Sequence, residues 1–259
     1  MISKQRVNAA IKASSFHFLI TVIVAALAAA LVFLVWYPYP YRDLAGGRDL
    51  FLLVVAVDVV CGPLLTSVLF NPAKPRAELW RDLCLVAIIQ FAALGYGLHS
   101  VWLARPLYLV MEVDRFKVVG IPDLPEEVVN TQLDTLPPTL RPKIWGGPIT
   151  VAIRAPKDSQ ERNKVLLETI QGGRDYALRP DFYLPYEGAA TLKSLQRAKP
   201  LEVFFGKNPS QQLAAKALAT EKRADITQWA YVPVVGRQDW VAILNKQGQI
   251  EGYLKGDGF

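Results

Sequence analysis

Hydrophobic residues are crowded into the first 104 positions of the chain, where they form three long and almost uncharged runs. These runs cover Phe16–Trp36, Leu50–Phe70 and Leu83–Ala104. An α-helix needs about 20 apolar residues to cross the hydrocarbon core of a bilayer, and each run has that length. The pattern therefore predicts an all-α bundle of three transmembrane helices within residues 1–104.

A cleaved signal peptide is the alternative interpretation of the first run. Signal peptides have an apolar core of about 7–15 residues, followed by a cleavage site flanked by small residues. The first run is longer than that, and it is followed by the aromatic and proline residues of positions 36–41. We therefore expect the first helix to be retained as a membrane span.

The pattern changes after Arg105, and residues 105–259 are typical of one soluble domain with its own core. Apolar and β-branched runs predict strands at Leu107–Val113, Phe116–Ile121, Ile149–Ile153, Leu201–Phe205, Trp229–Val235, Trp240–Leu244 and Ile250–Leu254. Helical spacing predicts helices at Asp158–Gln171, Gly188–Ala198 and Pro209–Glu221. Frequent prolines and a break at Trp145–Gly147 predict irregular structure over residues 120–148.

Two local signals define the ends of these elements. Asp158 is a typical N-cap, and Gly172–Gly173 is a typical stop for the helix that it begins. Asn245–Gly248 supplies a turn between the last two predicted strands. The predicted fold class is therefore a three-helix transmembrane bundle followed by a mixed α+β domain that ends in an antiparallel meander.

Aromatic and basic residues near the spans bear on how the chain lies in the membrane. Tryptophan and tyrosine at span ends are typical interface anchors, and the candidates are Trp36, Tyr37, Tyr39, Tyr41, Trp80, Trp102 and Tyr108. Six lysines and arginines flank the spans on the N-terminal side of the membrane and five on the other side. This small excess favours a cytoplasmic N-terminus and a soluble domain outside the cytoplasm.

Composition excludes several classes of function. The net charge of +6 is too small and too dispersed to indicate nucleic-acid binding. Both cysteines, Cys61 and Cys84, belong to the apolar runs, so the soluble domain has no cysteine zinc site. The two histidines, His17 and His99, also lie in the spans, and we expect neither a metal nor a cofactor. The segment Gly206–Ser210 lacks the first glycine of a phosphate loop and indicates a turn before a helix.

The most informative polar residue is Asp58, which stands near the middle of the second span. A carboxylate at that depth costs about 2.5–3.5 kcal/mol on insertion scales, so it normally faces protein. Gly62 follows one helical turn later, Pro63 interrupts the backbone hydrogen bonds, and Thr66 can bond to a carbonyl that the proline leaves free. These four residues predict a polar, kinked face on the second helix.

The third span offers three polar residues that Asp58 can meet. Tyr96 and His99 come closest to its depth, and Gln90 lies deeper, so we expect Tyr96 or His99 to be the partner. Three roles for the Asp58 face are compatible with the sequence. It can fix helix packing by an internal hydrogen bond, bind another membrane helix, or relay protons.

Several short segments together resemble the TfpX/TfpZ family of type IV pilin accessory proteins. They are Phe33–Pro38, Gly46–Phe51, Val57–Thr66, Phe70–Pro72, Ala104–Pro106, Val113–Phe116, Pro233–Arg237 and Asp239–Trp240. The resemblance implies a non-enzymatic protein of the bacterial inner membrane whose soluble domain is periplasmic. It also implies a type IV pilin as partner, contacted at its transmembrane helix and at its periplasmic head.

Two functions follow as alternatives. The first is a chaperone-like accessory protein whose Asp58 face holds the pilin helix while its soluble domain contacts the pilin head. Its candidate partner-binding residues are Asp58, Gly62, Pro63, Thr66, Tyr96, His99, Arg105, Asp114 and Arg115. The second is a membrane-anchored enzyme that acts at the lipid surface through Arg105, Asp114 and Arg115. A salt-bridged hairpin explains Asp114 and Arg115 equally well, and three spans with one charge give little support to a transporter.

Overall fold

A computed structural model describes residues 4–259 of the chain, and three of its helices are long and apolar enough to cross a membrane. The helices of the membrane region are α1 (Lys4–Leu31), a π-helical turn that continues it (Val32–Trp36), the short α2 (Tyr41–Leu44), α3 (Gly47–Leu69) and α4 (Arg76–Leu103). The prediction of three membrane helices is confirmed. Helices α1 and α4 begin earlier than the apolar runs because the residues that flank those runs are themselves good helix formers.

Helix α3 lies between α1 and α4 and packs against both. Two glycines allow this close approach. A Cβ atom on Gly97 of α4 would overlap the side chain of Val54, and a Cβ on Gly62 of α3 would overlap the amide of Gln90. Small residues at such crossings let backbones approach closely, which is a main source of helix association in lipid.

The soluble part contains one eight-stranded sheet. Its strands are β1 (Pro106–Met111), β2 (Phe116–Gly120), β3 (Ile149–Ile153), β4 (Tyr183–Pro185), β5 (Lys199–Pro200), β6 (Ala230–Val235), β7 (Trp240–Leu244) and β8 (Ile250–Lys255). The order is β4-β3-β1-β2-β6-β7-β8, and β5 pairs with β6. Strands β1 and β3 are parallel, as are β2 and β6, whereas β6, β7 and β8 form the predicted antiparallel meander.

The soluble part also contains the helices α5 (Ser159–Ile170), α6 (Ala189–Leu195), α7 (Leu201–Lys207) and α8 (Gln212–Lys222). Helix α5 begins as the sequence predicts, because the Asp158 carboxylate accepts a 2.7 Å hydrogen bond from the backbone N–H of Glu161. It ends before Gly172, which adopts a positive φ of 81°. The mixed α+β fold class of the soluble domain is confirmed.

The predicted strand Leu201–Phe205 is wrong, because this segment forms helix α7. Its alternating apolar residues suggested a strand. In the structure Leu201 and Phe204 are buried, and Val203 between them is half exposed. A spacing of three residues places Leu201 and Phe204 on the same face of a helix, and that face packs on the sheet.

The loop between the first two spans packs into the core of the soluble domain. Tyr41 and Leu44, both in α2, pack against the core side chains on one face of the sheet. The backbone N–H of Arg237 donates a 2.8 Å hydrogen bond to the carbonyl of Leu44. Helices α7 and α8 cover the opposite face, which presents Tyr231 and Ile243. The membrane region and the domain therefore share one packed junction.

Most of the predicted interface anchors are wrong. Trp36, Tyr37 and Tyr41 are buried at the junction, and Tyr108 is buried inside the domain, where its phenol donates to the carbonyl of Leu140. They fill protein core because the first loop folds back under the sheet. Of the candidates, Tyr39 and Trp80 are exposed, and Trp102 is partly buried.

Candidate functional site

A groove of about 450 Å³ runs over α3 between α1 and α4. Asp58 and Thr66 of α3 contribute the polar part of its floor, and His17 and Gln90 project from the two neighbouring helices. The remaining lining is mostly apolar and consists of Ala13, Phe16, Ile20, Val24, Phe70, Trp80, Leu83, Ala87, Phe91 and Leu94. Thr21 and Cys84 complete it. Because several rim side chains are exposed, the groove is an open surface in the membrane region.

Asp58 is 8% exposed, and its carboxylate borders the groove. Among residues 4–259, no group donates a hydrogen bond to this carboxylate. The amide of Gln90 donates instead to the backbone carbonyl of Asp58, over 3.2 Å. A carboxyl group at membrane depth is normally satisfied by a protein partner, so Asp58 has unused hydrogen-bonding capacity directed at the groove.

Gly62 lies at the crossing with α4. An ideal Cβ on Gly62 would stand 2.5 Å from the amide carbon of Gln90 and closer still to its nitrogen. Any side chain here would displace Gln90 and break its hydrogen bond to Asp58. Gly62 therefore leaves the space that lets Gln90 bond to the backbone of Asp58.

Two polar pairs hold α1 against the part of α3 that contains Pro63. The hydroxyl of Ser14 donates a 2.8 Å hydrogen bond to the carbonyl of Pro63. The Nδ1 atom of His17 and the hydroxyl of Thr66 are 2.5 Å apart, and the histidine tautomer decides which of them donates. Of the predicted face, Asp58, Gly62 and Thr66 are buried, and Pro63 presents its carbonyl to α1.

The expectation that Asp58 meets Tyr96 or His99 is wrong. Tyr96 is 75% exposed, and His99 stacks on Trp102 with ring centroids 6.2 Å apart. Gly97 of α4 packs against Val54, and Gln90 bonds to Asp58, so Tyr96 and His99 lie nearer the level of Val54 than that of Asp58. Counting residues from the ends of two antiparallel spans does not fix their register or their rotation, and both decide which side chains meet.

Sequence reasoning missed the contribution of α1 to this site. Ser14, His17 and Thr21 are spaced three and four residues apart, so they share one helix face. That polar stripe on an otherwise apolar helix is the signal that would have found it. It marks the face of α1 that meets α3 and the groove.

Arg105 does not form a site with Asp114 and Arg115. Its guanidinium is buried, stacks 4.0 Å from the Trp102 ring centroid and donates to the Trp102 carbonyl. Strand β1 separates it from the other two residues, and six strand residues span about 20 Å. Arg115 and Asp114 form a 2.9 Å ion pair in the hairpin turn. The structure therefore does not assemble the predicted set of the alternative enzyme.

Comparison with known proteins identifies the family of this chain. It is 36% identical to the fimbrial assembly protein of serogroup I from Dichelobacter nodosus, over 265 aligned residues that cover 100% of this chain and 99% of the relative. The chain belongs to the fimbrial assembly protein family. The serogroup E1 protein of the same organism is 35% identical over the same share of both chains. The relative from serogroups C1 and C2 is 44% identical over 48% of this chain and 94% of its own length.

A family model described as fimbrial assembly protein FimB matches residues 5–46. In this fimbrial assembly protein, that segment supplies α1, with Ser14 and His17, and the loop that carries Tyr41 and Leu44 into the sheet. The matched segment thus includes one wall of the groove and the junction with the soluble domain. No solved structure matches the chain.

Proposed function

We propose that this protein is a non-enzymatic accessory protein of the bacterial inner membrane that assists a type IV pilin during fimbrial assembly. Its full-length relatives are fimbrial assembly proteins, which supports a role in assembly. The segments that resemble the TfpX/TfpZ pilin accessory proteins support the assignment to a pilin. In this proposal the protein is chaperone-like and acts on the stability, assembly or surface display of the fibre.

The groove over α3 is the proposed docking site for the transmembrane helix of the pilin. The observation that carries this proposal is the Asp58 carboxylate, which receives no hydrogen bond from residues 4–259 and borders an apolar groove. A helix that lays its apolar side chains in the groove and brings one donor to Asp58 satisfies both the surface and the carboxylate. The occupant is a membrane helix because Phe16 and Phe91 on the rim are apolar and exposed.

The soluble domain is proposed to lie in the periplasm and to contact the head of the same pilin. The distribution of basic residues supports this orientation, with a small excess near the N-terminal tail and the loop between α3 and α4. The loop between the first two spans lies on the same side as the domain, since Leu44 packs into the sheet. One partner can therefore meet the helices and the domain together.

The test compares substitutions at Asp58 in the native strain. Asp58→Ala is expected to reduce co-purified pilin and the number of surface pili several-fold at unchanged abundance of the protein. Asp58→Asn keeps hydrogen-bonding capacity and is expected to retain more of both. Leu53→Ala is the matched control, because Leu53 lies on the same helix, is 67% exposed and does not line the groove.

Photo-crosslinking supplies an independent readout. A crosslinker at Ala87, which lines the groove, is expected to capture pilin, whereas one at Leu53 is not. Docking in the groove would be contradicted if the Asp58→Ala variant co-purified as much pilin as the wild type and if crosslinkers at Ala87 and Leu53 captured pilin equally. Normal pili in a strain without this protein would contradict the role in assembly itself.

A further inference from the structure

One loop of the soluble domain lies beside the end of the first span. The indole N–H of Trp36 donates a 3.1 Å hydrogen bond to the backbone carbonyl of Ile144. An ideal Cβ on Gly147 would stand 2.9 Å from the Cγ of Pro38 and 3.7 Å from the carbonyl of Val35. Residues 143–147, here named the Trp145 loop, therefore lie against the end of the first candidate span, which is where a spanning helix leaves the hydrocarbon core.

The side chains of this loop are directed away from the protein. Trp145 is 74% exposed and Ile144 is 59% exposed, although both are large and apolar. Lys143 and Arg141 are exposed next to them. Tryptophan is enriched at membrane interfaces because its ring is apolar and its N–H needs a polar partner, and lysine and arginine pair with lipid phosphates.

The backbone of the loop explains how it reaches this position. Gly147 lies against Pro38 so closely that a side chain there would collide with the proline ring. Trp36 is almost fully buried, and its indole N–H donates its hydrogen bond to the carbonyl of Ile144. The loop is thus anchored by backbone contacts to the span, and its two apolar side chains remain available for another surface.

We propose that the Trp145 loop inserts into the interfacial layer of the bilayer and holds the soluble domain against the membrane surface. The occupant of this apolar patch is lipid, because the patch begins where the first span ends and has basic residues beside it. Trp145 then has the role that the sequence suggested for Trp36 and Tyr37, which the fold buries instead. This function is independent of pilin and concerns the orientation of the soluble domain relative to the membrane surface.

Site-directed spin labelling in vesicles tests this proposal on the purified full chain. Trp145→Cys is made in a background in which Cys61 and Cys84 are replaced by serine, labelled with a nitroxide, and reconstituted in phosphatidylcholine with phosphatidylglycerol. Power saturation then compares collisions with oxygen, which concentrates in lipid, and with a water-soluble nickel chelate. The ratio of oxygen to nickel accessibility is expected to be several-fold higher than at a water-exposed position.

Leu213→Cys supplies that water-exposed control. Leu213 is 78% exposed on α8, which covers the face of the sheet opposite to the loop that carries Leu44. Ile144→Cys is a second site in the Trp145 loop and guards against a local effect of losing the indole. A Trp145 label as accessible to nickel as the Leu213 label would overturn the proposal. Low accessibility to both reagents would also overturn it, since protein and not lipid would then cover the loop.

Discussion

The phenol of Tyr37 donates a 2.9 Å hydrogen bond to the backbone carbonyl of Val101. Val101 is in the last turn of α4, where carbonyls have no partner within the helix. Tyr37 is fully buried, and burial raises the pKa of its phenol, so the group stays a neutral donor. One side chain after the first span therefore satisfies the end of the third and joins the two helices just below the sheet.

Replacement of Tyr37 by phenylalanine is expected to destabilise the protein by about 1–2 kcal/mol, because a buried carbonyl loses its donor. Unfolding titrations in mixed detergent micelles measure the change. Tyr39→Phe is the control, since Tyr39 is 56% exposed and its bond to the Tyr253 carbonyl is long, at 3.4 Å. Equal losses for the two variants would contradict the role assigned to Tyr37.

Gly62→Ala is expected to destabilise the helix bundle by about 1–3 kcal/mol, because the added methyl group displaces the Gln90 amide. Unfolding titrations in mixed detergent micelles also measure this change in stability. Gly95→Ala is the control, since a Cβ on Gly95 has no neighbour within 4 Å. In the double variant Gly62→Ala with Gln90→Ala, the loss is expected to be smaller than the sum of the single losses. Strict additivity would argue against the contact.

The ion pair of Arg154 and Glu161 predicts a pH dependence of domain stability. Hydrogen bonds from the Arg154 guanidinium, and next from the Lys157 backbone N–H, lower the pKa of Glu161 from 4.5 to about 2. Because the pKa is lower in the folded state, the stabilisation is complete above about pH 4.5 and is lost as the pH falls toward about 2.

The measurement is the thermal midpoint of the domain as a function of pH, for the wild type and for Glu161→Gln. The wild type is expected to be the more stable of the two near neutral pH, and the difference should shrink as the pH falls through the window below 4.5. Glu126→Gln is the control and should leave the profile unchanged, because Glu126 is exposed and begins a run of helical turns far along the chain from this ion pair. A difference that grows on acidification would have the wrong sign for this ion pair.

Elements with a strong period were predictable from the sequence. The three membrane helices follow from apolar length, and α5 follows from its spacing together with the Asp158 cap and the glycine stop. The short helix α7 was not predictable, because five residues of alternating apolar character fit a strand and a helix equally well. Only burial of Leu201 with Phe204 decides between them, and burial depends on which face the sheet presents.

The candidate site was predictable on one helix and not on its neighbours. Asp58, Gly62 and Thr66 share a face of α3, which follows from their spacing alone. The rotation of α4 decided that Gln90 and not Tyr96 lies against that face, and rotation is set by packing at Gly62 and Gly97. The aromatic residues after the first span misled for a related reason, because composition cannot distinguish a membrane interface from a buried junction.

The position of Leu44 makes folding of the domain dependent on correct biogenesis of the membrane region. Leu44 is synthesised before the second and third spans, yet it packs into the core of a sheet that is synthesised after them. If either of those spans failed to insert, Leu44 and the sheet would end on opposite sides of the bilayer. The core on that face of the sheet would then be incomplete, so we expect a chain with faulty topology to be more susceptible to proteolysis.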